Sequence, residues 1–187
     1  MQIELNGQTV ALIGENNAIA GAALKALKAN GGVESNTPDM LIVSLPLLPV
    51  DGLEVRPLLA VARKAAERMA AAEGGRILFL VSAIAGMPMR RHADFSAAVG
   101  SVQAGMRTLA MEFGPKVVVN ALGVGAVGAP LAAGDEAMLS HASIKRAGTI
   151  EEVVDAVLFF CDPMNTYTTG QLLSVDGGWM AGYGRHF

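Results

Sequence analysis

The sequence predicts one α/β domain built on a doubly wound parallel sheet, and three observations carry that prediction. Short, nearly unbroken apolar runs (TVALI, MLIVSL, RILFLVS, KVVVNAL) alternate with longer helical stretches along the chain. A strand that is apolar at every position is covered on both faces, which is the situation of a parallel sheet between two helix layers. The helical stretches stop at glycine pairs, Gly31-Gly32 and Gly74-Gly75, residues that take the left-handed backbone a helix C-terminus favours. No repeat, charge block or linker interrupts the 187 residues, so residues 1–187 are read as a single domain.

Taken in order, residues 8–13 (QTVALI) form the first buried strand and residues 18–29 (AIAGAALKALKA) a helix ended by Asn30-Gly31-Gly32. Residues 39–45 (DMLIVSL) form the second strand. Residues 58–73 form a helix with Arg63, Lys64, Glu67 and Arg68 outward and Leu58, Val61, Ala65 and Met69 inward. Residues 76–82 are the third strand. The stretch HADFSAAVGSVQAGMRTLAMEFG (92–114) is a helix with two faces. Phe95, Val99, Val102, Met106, Leu109 and Phe113 make an apolar stripe at helical spacing, while Ala97, Ser101, Ala104 and Thr108 make a face of small residues that admits a second helix closely. Residues 116–122 are a fourth strand, 150–160 a helix and 170–175 the last strand, about five strands in all.

Composition excludes several classes. The hydrophobic fraction is 52%, and mean hydropathy is +0.42, high for a soluble protein, yet the longest apolar runs are too short for a bilayer and are broken by proline. The surplus apolar surface points instead to a subunit interface. Net charge is −3 with acids and bases interspersed and few aromatics, which argues against nucleic acid. A lone cysteine, Cys161, excludes an internal disulfide, and three scattered histidines offer no metal-ligand spacing. The N-terminus MQIELNGQTV lacks the pattern of a signal peptide, so a cytoplasmic location is expected.

From residue 143 onward the pattern becomes specific. SIKRAGTIEEVVDAVLFFCDPMNTYTTGQLLSVDGGW resembles the closing segment of the short-chain dehydrogenase/reductase family, with Arg146, Gly148, Glu151, Tyr167, Thr169, Gly170 and Asp176-Gly177-Gly178 where that family has them. KVVVNALGVGAVGAP, RILFLVSAIAG and QTVALIGENNAIAGAALKAL resemble its sixth strand, its fifth strand, and its first strand, phosphate loop and first helix. The resemblance covers nearly the whole chain and implies a Rossmann-like doubly wound sheet. It also implies two helix-mediated interfaces, one through the helices at 58–73 and 92–114, the other through the helix at 150–160 and the last strand.

The departures from the family bear on function. The family's Gly-x-x-x-Gly-x-Gly loop brings backbone amides against a pyrophosphate. Here it reads Gly14-Glu15-Asn16-Asn17-Ala18-Ile19-Ala20, with one glycine left, methyls at Ala18 and Ala20, and an acid at Glu15. The family's second and third strands are missing between ANGG and NTPDMLIVSL, which removes the unit that reads the adenosine ribose and leaves the first strand a sheet edge unless GGVESNTP or a partner covers it. Asn-Asn-Ala-Gly after the fourth family strand becomes Ser44-Leu45-Pro46-Leu47. The family's proton-relay Tyr and the Lys one turn on fall at Phe95 and Val99; its Ser falls at Ala83, or at Ser82 with a one-residue slip; its structural Asn falls near Glu54; its nicotinamide clamp falls at Val124 to Ala129, without the Thr.

The resemblance and its departures together lead to the expectation of a subunit with no catalytic residues and no bound cofactor. Such a chain would form a hetero-oligomer, a heterotetramer by preference, with a full-length, active NAD-dependent alcohol or hydroxyacyl(-CoA) dehydrogenase paralogue. It is similar in kind to the inactive subunit of the heteromeric hydroxyacyl-CoA dehydrogenase of anaerobic toluene degradation. Ala97, Ser101, Ala104, Thr108, Phe159 and Trp179 are the expected interface residues, and the tail carrying Tyr183, Arg185, His186 and Phe187 is a candidate to reach a neighbour. The alternative is a cofactor-free enzyme or a module binding a small molecule or acyl-CoA in the remodelled cleft, with His92, Asp94 and Ser82 as candidate groups.

Overall fold

A computed structural model describes residues 1–128 and 136–181. The strands are β1 (Thr9–Gly14), β2 (Val33–Glu34), β3 (Met40–Ser44), β4 (Gly75–Ser82), β5 (Val117–Val124) and β6 (Leu172–Val175). The helices are α1 (Ala18–Ala29), α2 (Arg56–Ala71), α3 (Ala93–Phe113), α4 (Glu136–His141) and α5 (Ile150–Cys161). All the strand pairs are parallel, and the sheet order is β2-β1-β3-β4-β5-β6.

Strand periodicity divides the core into two layers. Leu41, Val43, Ile77, Phe79, Val81, Val117, Val119 and Ala121 point to one face and pack under α2 and α3. Their alternates Met40, Ile42, Leu78, Leu80, Leu122 and Val124 point to the other face and pack under α1 and α5. Successive strand side chains point to opposite faces, so strands apolar throughout need both layers.

Two details correct the reading from sequence. The sheet has six strands rather than about five, because GGVESNTP supplies β2, with Val33 and Glu34 registered against Thr9 and Val10. Gly31 (φ +91°) turns the chain back beside β1, and only a few residues remain before β3 begins, so a two-residue strand stands where the sequence reading expects none. On α2, Val61 faces outward; the inner row is Ala62, Ala65, Ala66 and Met69. One residue along a helix is a 100° rotation, and the alanines let α2 lie close on the sheet.

Helix α5 begins with a capping box. The Glu152 amide donates to Thr149 Oγ1 (3.2 Å), and the Thr149 amide donates to Glu152 Oε2 (2.8 Å). Arg146 grips the same carboxylate with both guanidinium nitrogens, at 2.9 and 2.6 Å. The hydrogen bond from Arg146, then that from the Thr149 backbone, lower the Glu152 carboxyl from 4.5 to about 2. A carboxyl lowered in the folded state adds stability above its ordinary value, and that stability is lost as pH falls toward the folded value. Wild type is therefore expected to lose stability relative to Glu152→Gln as pH drops from 4.5 toward 2, in paired thermal melts across that range. A constant gap between the two proteins would refute the assignment.

Candidate functional site: the cleft at the carboxyl ends of β1, β3 and β5

In open α/β sheets the cleft lies beyond the carboxyl ends of the strands. Here β1 ends at Gly14, in register with Ser44 of β3. Gly14 has φ +90°, and a Cβ built there would sit 2.1 Å from the Ser44 carbonyl oxygen. That oxygen accepts the Glu15 amide at 2.8 Å. The surviving glycine of the loop is thus required by the approach of two strands, independently of any phosphate.

The rest of the loop is committed elsewhere. Asn17 caps α1, its Oδ1 accepting the Ala20 amide (2.9 Å) while its Nδ2 lies 3.4 Å from Ser44 Oγ. One of the amides that a helix N-terminus offers to an anion is already occupied. Ala20 is fully buried in the layer under α1, so its methyl serves packing and does not line the cleft. Ala18 does line it, together with Glu15, Asn17, Ile19, Pro46, Leu47, Leu48, Val50, Val127, Gly128 and Ile150, around a cavity of about 440 Å³. Among the described residues those walls are mostly apolar, and their one charge is negative. They do not suit the pyrophosphate of a dinucleotide, which needs close backbone amides and positive potential.

The positions at which the sequence reading expects the family's Tyr, Lys and Ser are inside the protein. Phe95 is 3% exposed, Val99 is fully buried, and both belong to the layer under α3 with Val102, Met106 and Leu109. Ala83 is buried. Ser82 is buried as well, with its hydroxyl turned to the Ile84 amide (3.5 Å) at the start of a short 3-10 turn, Ala83–Ala85. His92 and Asp94 are exposed, and no hydrogen bond or ion pair joins them to each other or to Ser82. The structure does not assemble the three candidates into an acid–base set.

Ser96, Met180 and Asn120, which the sequence reading does not single out, shape this part of the fold together with Asp176 and Gly125, which it does. Ser96 is buried and its Oγ accepts the Met89 amide (3.1 Å), pinning the loop before α3. Met180 lies in a C-terminal 3-10 turn, Trp179–Ala181, that folds back so its thioether covers Gly86. Asp176 holds that turn by accepting the Gly178 (2.9 Å) and Met180 (3.0 Å) amides. Gly125 admits the approach of Asp176, since a Cβ there would lie 2.6 Å from it. Buried Asn120 donates to the Thr168 carbonyl (2.7 Å) and accepts the Gln171 amide (3.0 Å), anchoring the run into β6. Its sequence signal is a polar residue inside an apolar strand.

Cys161 is buried, and burial pushes its thiol up to about 12, with Arg76 pulling weakly the other way. It is packing rather than a nucleophile. Arg76, its own pKa lowered by burial, donates to the Asn165 (2.7 Å) and Pro163 (2.9 Å) carbonyls after α5. Among the described residues no group of three His, Cys, Asp or Glu side chains is placed to hold a metal ion, and no helix is long and apolar enough to cross a membrane.

The expected interface residues divide. Ala97, Ser101, Ala104 and Thr108 are all exposed on the outer face of α3. Ser101 Oγ donates to the Ala98 carbonyl (2.6 Å) and Thr108 Oγ1 to the Ala104 carbonyl (3.1 Å), so both hydroxyls fold back on their own helix. Met111, 79% exposed, continues the row at a four-three-four-three spacing. Phe159 on α5 is 42% exposed, near exposed Met164 and Tyr167 in sequence. Trp179 is half-buried in the C-terminal turn. The tail residues Tyr183, Arg185, His186 and Phe187 lie outside the described residues.

Comparison with known proteins agrees with this architecture. A family model described as enoyl-(acyl carrier protein) reductase matches residues 52–180. Glucose 1-dehydrogenase of Gluconobacter oxydans (strain 621H) is 36% identical over 100 residues, covering 49% of this chain and 38% of that protein. Trans-4-hydroxycyclohexanecarboxylate dehydrogenase of Sinomonas cyclohexanicum is 34% identical over 121 residues, covering 64% and 46%. The chain thus spans less than half the length of these relatives. A gluconate 5-dehydrogenase from Burkholderia cenocepacia, solved with NADP and tartrate, superposes with a TM-score of 0.79 at 16% identity, covering 96% of this chain and 97% of that one. The ligand-free aldohexose dehydrogenase of Thermoplasma acidophilum gives 0.77 at 15% identity, covering 98% of both. At those identities the structural likeness speaks for the fold alone. With residues 52–180 matched by the family model, the chain belongs to the short-chain dehydrogenase/reductase family.

Proposed function

We propose that the protein is a non-catalytic member of its family that assembles with, and stabilises, a full-length NAD-dependent alcohol or hydroxyacyl(-CoA) dehydrogenase paralogue, in a heterotetramer. One observation carries this reading. On α3 the positions that would relay protons, Phe95 and Val99, are sealed in the core, while Ala97, Ser101, Ala104 and Thr108 on the outer face remain exposed. A helix that has lost its chemistry and kept a smooth, close-packing outer face suits a partner helix. The cleft supports the same reading through Glu15, Asn17 and Ala18, which leave no seat for a pyrophosphate. The pairing is similar in kind to the active and inactive subunits of the hydroxyacyl-CoA dehydrogenase of anaerobic toluene degradation.

The test is co-expression with a full-length family member encoded beside it. The two chains are expected to co-purify, and Ala104→Arg is expected to reduce recovery of the paralogue at least tenfold. The lone variant should melt close to wild type, since a substitution on an exposed helix face shifts stability by only about 0.5 kcal/mol. A lone chain that is soluble, monodisperse and indifferent to the paralogue would overturn the proposal. The cavity in the cleft favours a second reading, a cofactor-free enzyme or ligand-binding module, which would turn over substrate on its own and ignore the paralogue on co-expression.

A further inference from the structure

We infer that the remodelled cleft is a binding site for a small cationic amphiphile, with an alkyl chain in the cavity and an amine on Glu15. The inference stands apart from the assembly proposed above and concerns this chain alone.

The cavity of about 440 Å³ is within the size range of small-molecule sites. Its walls come from four parts of the fold: Ile19 on α1, Leu47, Leu48 and Val50 after β3, Val127 after β5, and Ile150 at the start of α5. Leu48 and Val50 are 42% and 43% exposed, so the rim keeps apolar surface in water that an alkyl chain would cover. A dinucleotide does not suit this site, for the reasons given by Asn17, Ala18 and Glu15. Polar recognition is narrow. The Asn17 side-chain oxygen Oδ1 is engaged by the Ala20 amide. Among the described residues Glu15 is the one charged side chain in the lining, and none of them engages its carboxylate in a hydrogen bond or ion pair. An apolar chamber with a single free carboxylate at its edge selects against anionic amphiphiles such as fatty acids and in favour of an amine on an apolar body.

The test titrates the isolated full chain with n-octylamine, n-octanol and n-octanoate, followed by chemical-shift changes of the Ile19, Leu48 and Val127 methyls. Octylamine is expected to bind about fivefold tighter than octanol and about tenfold tighter than octanoate, the scale of an exposed ion pair. Glu15→Gln should bring the amine and the alcohol within twofold of each other. Ala18→Phe, at an exposed helix-start position facing the cavity, should abolish binding of all three. Octanoate binding as tightly as octylamine, no binding by any probe, an amine preference that survives Glu15→Gln, or octylamine affinity unchanged in Ala18→Phe would each overturn the inference. NAD binding by calorimetry would instead count against the non-catalytic reading, so the two failures are distinguishable.

Discussion

Gly14→Ala is expected to destabilise the protein by about 3 kcal/mol or more, through backbone strain at positive φ added to a steric clash. The new Cβ would lie 2.1 Å from the Ser44 carbonyl oxygen, against backbone that cannot swing aside as a side chain can. Relief requires β1 and β3 to separate, and their register runs from Val10 against Met40 to Gly14 against Ser44. For a chain of this size the loss corresponds to a fall in Tm of roughly 6–12 °C. The informative comparison is Glu15→Ala, which removes the neighbouring charge and should leave Tm within about 2 °C, as expected for an exposed position. Thermal melts of the two variants beside wild type decide the matter. A Gly14→Ala protein as stable as wild type would mean that the loop glycine is not held by the strand contact.

Rebuilding the family's relay should damage the fold without restoring turnover. In the double variant Phe95→Tyr, Val99→Lys, the lysine enters a position with no solvent exposure, beneath α3 and among Val102 and Met106. An ammonium there either loses its hydration or is held neutral by burial, and a cost of about 3–5 kcal/mol is expected for an unpaired buried charge. The tyrosine hydroxyl meets the same enclosure. A denaturant melt should show the double variant far less stable than wild type, with Val99→Lys carrying most of the loss, and no NAD-dependent oxidation of alcohol substrates should appear. A stable, folded double variant that turns over substrate would refute the non-catalytic reading.

Much of the architecture was legible in the residues. The boundaries of α1 match the sequence reading, and those of α2, α3 and α5 lie within about two residues of it, because glycine, the Thr149 cap and apolar periodicity mark them locally. Every strand longer than two residues was found from its apolar run. The two-residue β2 escaped notice because Val33 and Glu34 have no strand pattern of their own and become a strand by lying beside β1. Val61 was placed inward because a valine two turns before Met69 looks like part of an apolar row, whereas alanines form the inner row.

The candidate site was less legible. The apolar stripe of α3 already points to burial of Phe95 and Val99, and the structure packs both against the sheet. Ala20 was read as an obstacle to a cofactor and is a packing residue under α1. Ser82, His92 and Asp94 share a stretch of sequence, yet one hydroxyl is turned into its own loop while the other two side chains face water.

By itself, the sequence determined the fold class and the chain's family, because apolar periodicity, glycine positions and side-chain identity are local properties. Only the tertiary structure decided how the cleft and α3 are built. It brought the Ser44 carbonyl to within reach of the Glu15 amide, packed Phe95 and Val99 against the sheet while leaving Ala97 and Ala104 outside, and formed an open apolar cleft beside Glu15. Each of these depends on distances between segments far apart in the chain, and such distances are set by the packing of helices on both faces of the sheet.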